Sequence, residues 1–188
     1  MKSDFFSQIE EHPIIAAVHD LTQLEKAVKS PCKIVFLLSG DILNIKDLVN
    51  TFKDNGKLVF IHLDLIGGFS KDTKALEYIH KYINPDGIIS TKSNLIRAAK
   101  DLNIFTIQRI FLLDSLALIS GIHSIKSFRP DAVEILPGIM PKIIKQIKTE
   151  TKIPIIAGGL IQDKQDVIQS LNAGAVGIST SNKDVWYL

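Results

Sequence analysis

A chain of 188 residues, 46% apolar and 22% charged, has the make-up of one ordinary globular domain. The formal net charge is +2 and nineteen Lys stand against three Arg, a balance too mild and too poor in Arg to declare a nucleic-acid surface by itself. The single cysteine, Cys32, excludes an intrachain disulfide and a cysteine-rich metal site, and no run reaches the ~18 apolar residues of a membrane span.

The chain opens Met1-Lys2-Ser3-Asp4-Phe5-Phe6, without the apolar stretch of a signal peptide, so a cytoplasmic setting is expected. Short apolar, mostly β-branched runs follow at Ile14–Val18, Ile34–Leu38, Leu58–Leu63, Gly87–Ile89, Ile104–Ile110, Ala132–Leu136, Pro154–Ala157 and Ala175–Ile178. Each has the length and composition of a buried parallel strand, and helical patterns separate them. Asp20, Ser93, Asp114 and Asp163 are placed to cap helices. Pro141 suits a first helical turn, and Gly56 suits the residue after a helix.

Eight such units predict a compact (β/α)8 TIM barrel spanning 1–188 as one domain; an open doubly wound sheet would ordinarily use five or six strands. After the eighth strand only Asn182–Leu188 remains, so the last helix is truncated to about a turn. Trp186, Tyr187 and Leu188 are expected to plug the seam it leaves, or to form a subunit contact.

Two loops carry the ligand argument. In barrels of this kind the loops after strands seven and eight often build a phosphate site. Gly158 and Gly159 close strand seven, where the missing Cβ lets backbone approach a ligand, and a helix start near Asp163 favours anions. Ser179, Thr180 and Ser181 supply hydroxyls from the neighbouring unit. A tight turn beside a polar cap is the plainer alternative.

Polar residues at other strand ends extend the mouth. Phe60, His62 and Asp64 alternate onto one face of strand three, Glu134 points inward between Val133 and Ile135, and Gln108 and Arg109 take opposite faces. Burying Arg109 against the helices would cost several kcal/mol, which places it at the inner rim. With Lys92 after strand four, Asp64, Glu134, Arg109 and Lys92 form a set suited to a small polyol phosphate. An ion-pair network that only satisfies buried charges accounts equally for Arg109 with Glu134. No nucleophile elbow, His-Glu-x-x-His or Walker loop is present, and His62 reads as an inner hydrogen-bonded residue rather than a metal ligand. No metal and no cofactor are expected.

On the helix after strand six, Lys142, Lys145, Lys148 and Lys152 share one side while Ile143, Ile144 and Ile147 take the other. A solvated face is the ordinary meaning of such a stripe; a phosphate-tracking RNA surface is the sharper one.

Several stretches resemble a known family. They include Pro85-Asp86-Gly87-Ile88-Ile89-Ser90-Thr91-Lys92-Ser93, Val133-Glu134-Ile135-Leu136-Pro137-Gly138 and Ser179-Thr180-Ser181-Asn182-Lys183-Asp184-Val185-Trp186. In order along the chain these resemble the glycerol uptake operon antiterminator regulatory proteins, a (β/α)8 family. The resemblance implies a regulator rather than a metabolic enzyme, one that senses glycerol 3-phosphate and binds leader mRNA of glycerol-utilisation operons. It implies phosphate contacts at Gly158, Gly159, Ser179, Thr180 and Ser181, with Asp64, Glu134 and Arg109 around the glycerol end. Two positions depart from the expected pattern: His19 replaces a lysine after strand one, and Gly67 follows Ile66 where an acidic residue is expected. A phosphate-handling barrel enzyme (lyase, isomerase or glycerol-phosphate transferase) is the alternative, with Glu134 as base. A symmetric homodimer is the expected assembly on frequency alone.

Overall fold

In a computed structural model, residues 2–188 are described. Eight strands close in chain order into one parallel barrel, with β8 pairing back on β1. They are β1 (Ile14–Val18), β2 (Ile34–Leu37), β3 (Leu58–His62), β4 (Gly87–Ser90), β5 (Thr106–Phe111), β6 (Ala132–Leu136), β7 (Ile155–Gly158) and β8 (Gly177–Thr180). Helices α2 (Leu24–Lys29), α3 (Ile45–Asp54), α4 (Thr73–Tyr78), α5 (Ser93–Asp101), α6 (Ser115–Phe128), α7 (Pro141–Thr151) and α8 (Lys164–Ala173) run between them, after α1 (Lys2–Glu11). Strand register sits within a few residues of the pattern-based expectation. The eighth strand lies further along than expected, so Ser179 and Thr180 belong to its end rather than to a loop.

Alternation along each strand divides the apolar residues into two cores. Residues such as Val35, Val59, Ile61, Val133 and Ile135 face outward and pack under the helices. Ile15, Ile34, Phe36, Phe60, Ile89, Ile107 and Ile156 fill the barrel. The interior core also takes in Phe105, just before β5, and two residues of α1, Phe5 and Ile9. The Phe5 ring lies 5.2 Å from that of Phe60 and 4.7 Å from that of Phe105, and Phe5 is wholly buried. α1 is therefore a stopper in the amino-terminal end of the barrel, an element the strand pattern did not announce.

Capping follows the expected chemistry at three of four positions. The carboxylates of Asp20, Asp114 and Asp163 accept backbone N–H groups at helix starts. Ser93 does not cap α5: Lys92 holds that place, and the Ser93 hydroxyl instead meets Ser124 and the Gln108 amide between α5 and α6. Gln108 and Arg109 do point to opposite sides of the sheet.

The seam after β8 is closed by a single 3-10 turn, Val185–Tyr187. Trp186 is buried there and its Nε1–H donates to the Thr180 carbonyl at 2.8 Å. The Cys32 thiol donates to the Trp186 carbonyl, and burial pushes its pKa up, consistent with a packing role. Tyr187 and Leu188 are exposed, so the plug is Trp186 with Val185 and not the last three residues together.

Candidate functional site

The carboxyl-terminal strand ends surround an open cavity of about 600 Å³, within the range that takes a small ligand. One wall comes from the expected loops. Gly158 and Ser179 are register partners on β7 and β8, and Gly159, Ser179, Thr180, Ser181 and Asn182 line the cavity beside Leu160 and Gln162. Arg109 and Glu134, register partners on β5 and β6, continue the lining on the β7 side of these loops, and His19, beyond the end of β1, continues it on the β8 side.

Arg109 and Glu134 are almost fully buried, and Arg109 Nε donates to Glu134 Oε2 at 2.6 Å. Glu134 has room only because position 158 is glycine: a Cβ there would stand 2.7 Å from Glu134 Oε1. The two neighbouring polar residues thus form a tight buried pair at the floor of the cavity. Its charges offset each other, so a bound anion would rely on hydrogen-bond donors from the rim more than on a free cation.

At the other lip the backbone turns sharply. Gly159 has φ +73° and Leu160 has φ +60°, a left-handed conformation that glycine accepts and leucine rarely does. The half-exposed Leu160 side chain stands at the cavity edge. Non-glycine residues held in this way concentrate at ligand-binding loops.

The start of α8 is not open to an anion as expected. Asp163 Oδ1 accepts from the N–H groups of Gln165 and Asp166, and Asp166 Oδ2 accepts from Gln162 N–H at 2.9 Å. Two carboxylates already occupy the positive end of that helix. The Thr180 hydroxyl is likewise engaged, donating to the Ile161 carbonyl and accepting from Asn182 N–H. It braces the loops after β7 and β8 against each other.

Three of the expected mouth residues lie elsewhere. Asp64 accepts from the Ser90 and Thr91 hydroxyls and from Thr91 N–H at 2.7 Å, clipping the end of β3 to that of β4. Lys92 is exposed at the start of α5. His62 is buried at the end of β3, its Nδ1 without a hydrogen-bond partner and 3.9 Å from Asp64 Oδ2. Burial, with the Arg109 charge next, pushes its pKa down to about 4, so the ring is neutral near pH 7. Among the described residues no group of three or more His, Cys, Asp or Glu is placed to hold a metal ion.

Sequence reasoning put His19 at the mouth without giving it a role, and did not assign Leu160, Gln162 or Asn182 to the cavity. The alternation Ile15, Ala17, His19 was signal enough for the first, and adjacency to Ser181 for the last. Nothing in a Leu at 160 forecasts its positive φ.

Fold and cavity define a (β/α)8 barrel presenting a polar, glycine- and serine-rimmed site to a small ligand. The particular kind follows from likeness: residues 14–186 match the family model described as glycerol-3-phosphate responsive antiterminator, and the chain belongs to that family. It is 38% identical over 180 residues to the uncharacterized protein YgcP of Escherichia coli (strain K12), covering 96% of this chain and 94% of that one. The glycerol uptake operon antiterminator regulatory protein of Listeria monocytogenes has a crystal structure matching at TM-score 0.90 and 37% identity, over 93% of this chain and 95% of that one. A glycerol uptake operon antiterminator-related protein of Thermotoga maritima matches at TM-score 0.83 and 34% identity, over 92% and 96%. No described helix is long and apolar enough to cross a membrane.

Proposed function

We propose that this protein binds glycerol 3-phosphate in the cavity at the barrel mouth and, so loaded, binds the leader mRNA of a glycerol-utilisation operon and opposes its terminator. The observation that carries the ligand half is the pairing of a Gly159–Leu160 turn and a Ser179–Asn182 rim, on adjacent strands, flanked by Arg109 and Glu134 on one side and His19 on the other. In this reading the phosphate lies against the glycine and serine lips. The glycerol hydroxyls reach Glu134, whose carboxylate accepts, and the buried Arg109 holds that carboxylate in place.

The same geometry favours sensing over catalysis. Among the described residues no lysine or cysteine lines the cavity, so neither an amine nor a thiolate nucleophile from them faces a ligand there. Arg109 holds Glu134 Oε2, which leaves Oε1 as the oxygen that accepts from a ligand hydroxyl. Output then comes from linkage: a ligand that binds the RNA-competent form more tightly shifts the population toward it, by as much as its differential affinity and no more.

Calorimetric titration with glycerol 3-phosphate, with glycerol and inorganic phosphate as controls, tests the ligand half. Saturable binding, weakened by Ser179→Ala and unaccompanied by turnover, is the expected result. Absence of binding, or conversion of the ligand to product, would overturn it. Titration of leader RNA with and without saturating ligand tests the output, and equal RNA affinity in both states would sink the linkage mechanism.

A further inference from the structure

A second concavity, of about 350 Å³, lies outside the barrel between α7 and α8. Pro141, Lys142 and Lys145 form one wall, and Gln169, Asn172 and Ala173 the other. Lys142 and Lys145 are exposed, and among the described residues neither enters an ion pair. Lys148, one turn on, lies with its stem across Gly174 at the end of α8. The nearby carboxylates face elsewhere: Asp163 and Asp166 accept backbone N–H groups, and Glu150 accepts from Gln146 and Lys126.

A basic helix edge is usually just a solvated face. This one differs because the structure ties its groove to the ligand cavity. Gly138, in the loop that leads into α7, donates its N–H to the Gly159 carbonyl at 3.1 Å. The Gly138 carbonyl in turn accepts from the buried Ser170 hydroxyl of α8 at 3.0 Å. The fit is close, since a Cβ at 138 would stand 2.7 Å from the Gly158 nitrogen. A ligand that displaces the Gly158–Leu160 turn must therefore move Gly138 as well. Pro141 and Lys142 begin α7 immediately beyond it.

Resting on the antiterminator reading above, we propose that single-stranded RNA docks along the α7–α8 edge, and that the Gly159–Gly138–Ser170 hydrogen bonds couple that edge to ligand occupancy. Lys142 and Lys145 meet the backbone phosphates, a charge match that neutral or basic partners lack. The amides of Gln169 and Asn172 offer both donors and acceptors to an unstacked base, and Pro141 and Ala173 add apolar surface to the two walls.

The test is fluorescence anisotropy with labelled leader RNA of a glycerol-utilisation operon, with and without saturating glycerol 3-phosphate. Lys142→Glu/Lys145→Glu is compared with Arg97→Glu/Lys126→Glu, which alters basic residues of α5 and α6. The first pair is expected to weaken RNA binding at least tenfold. Removing two phosphate contacts should also lower the log–log salt slope by roughly 1.4. Ligand binding by calorimetry should be unchanged in both pairs. Ser170→Ala should retain ligand binding while the ratio of RNA affinities with and without ligand falls toward one. If wild type binds RNA in neither state, the antiterminator reading and this docking surface fall together. If wild type binds and the Lys142/Lys145 pair binds equally well, or the Arg97/Lys126 pair weakens binding as much, only the docking surface falls and the groove is left as a protein contact or a solvated face. An unchanged affinity ratio in Ser170→Ala would overturn the coupling.

Discussion

Replacing Gly158 by alanine separates two reasons for a glycine at the end of β7. Its backbone is not in the left-handed region, so alanine would incur no conformational strain there. Space is a different matter, because the added Cβ would stand 2.7 Å from Glu134 Oε1 and 3.3 Å from Glu134 Cγ and Cδ. Glu134 has little freedom to yield. It is 1% exposed, and its other carboxylate oxygen is held by Arg109 at 2.6 Å. The methyl must push the carboxylate off Arg109 or shift the strand. Overpacking of this kind costs about 1–3 kcal/mol, and complete loss of a buried pair by removal of one partner about 3–5 kcal/mol. A partial displacement therefore lands near 2–3 kcal/mol, or roughly 4–12 °C in Tm for a domain of this size.

The assay is a double-mutant cycle by chemical denaturation over wild type, Gly158→Ala, Glu134→Ala and the double variant. With Glu134 truncated the colliding atoms are gone, so the extra methyl should cost less than ~0.5 kcal/mol in that background. Equal costs in the two backgrounds would refute the spatial argument and locate the penalty in the β7 backbone. Gly159→Ala is the contrasting control. At φ +73° its roughly 1–2 kcal/mol of strain should persist whichever residue occupies position 134.

Three further outcomes follow from the same geometry. The folded His62 pKa of about 4 lies below the ~6.5 of an unfolded chain, so the unfolded state binds the extra proton between those values. Stability is then complete above about pH 6.5 and declines by up to ~3 kcal/mol as pH falls toward 4; denaturation of His62→Gln should show a flatter acid limb, and an unaltered limb would exclude His62 as its source. Leu160→Gly removes the side chain from a φ of +60° and should be neutral to stabilising by about 1 kcal/mol, whereas a loss above 1 kcal/mol in urea denaturation would show that the leucine side chain is needed in place. Asp163→Asn keeps a capping oxygen at the start of α8 but removes a negative charge beside the phosphate lips, so glycerol 3-phosphate should bind about two- to five-fold more tightly at unchanged Tm. Weaker binding in the calorimeter would mean that this carboxylate serves the ligand instead.

What was legible in the chain divides along physical lines. Strand identity was legible because strands buried on both faces must be continuous apolar runs, and eight of them at a βα period leave few architectures. That Gly159 and Ser179–Ser181 would edge a cavity was legible for the same kind of reason, being short-range features at strand ends, whereas Gly158 faces Glu134 and does not line it. Whatever depended on a side chain choosing among nearby partners was not. Asp64 has the parity of a mouth residue, yet Ser90 and Thr91 offer it three donors within reach, and it closes on them rather than on the cavity. Asp163 was read correctly as a cap, but capping is also what removes the helix end from service as an anion site. α1 was missed although Phe5 and Ile9 share one helical face, because its partner is the open floor of a barrel, and that exists only once all eight strands have closed.

The stopper in that floor bears on how a signal leaves the molecule. With Phe5 packed against Phe60 and Phe105, the interior below the cavity is filled by close-packed aromatic and aliphatic side chains. Such a core resists small displacements rather than relaying them. A ligand at the mouth can act only through the strand-end loops, and these differ around the rim. On the β2–β4 side they brace one another: Asp41 bridges to Gly67, and Asp64 clips β3 to β4. On the β6–β8 side they reach the helices, through Gly159 to Gly138 and from Gly138 to Ser170 of α8. The glycine and serine lips of the cavity sit on that second side. On the proposed reading, the turn that meets the ligand is thus the one hydrogen-bonded, through Gly138, to the α7–α8 helix pair.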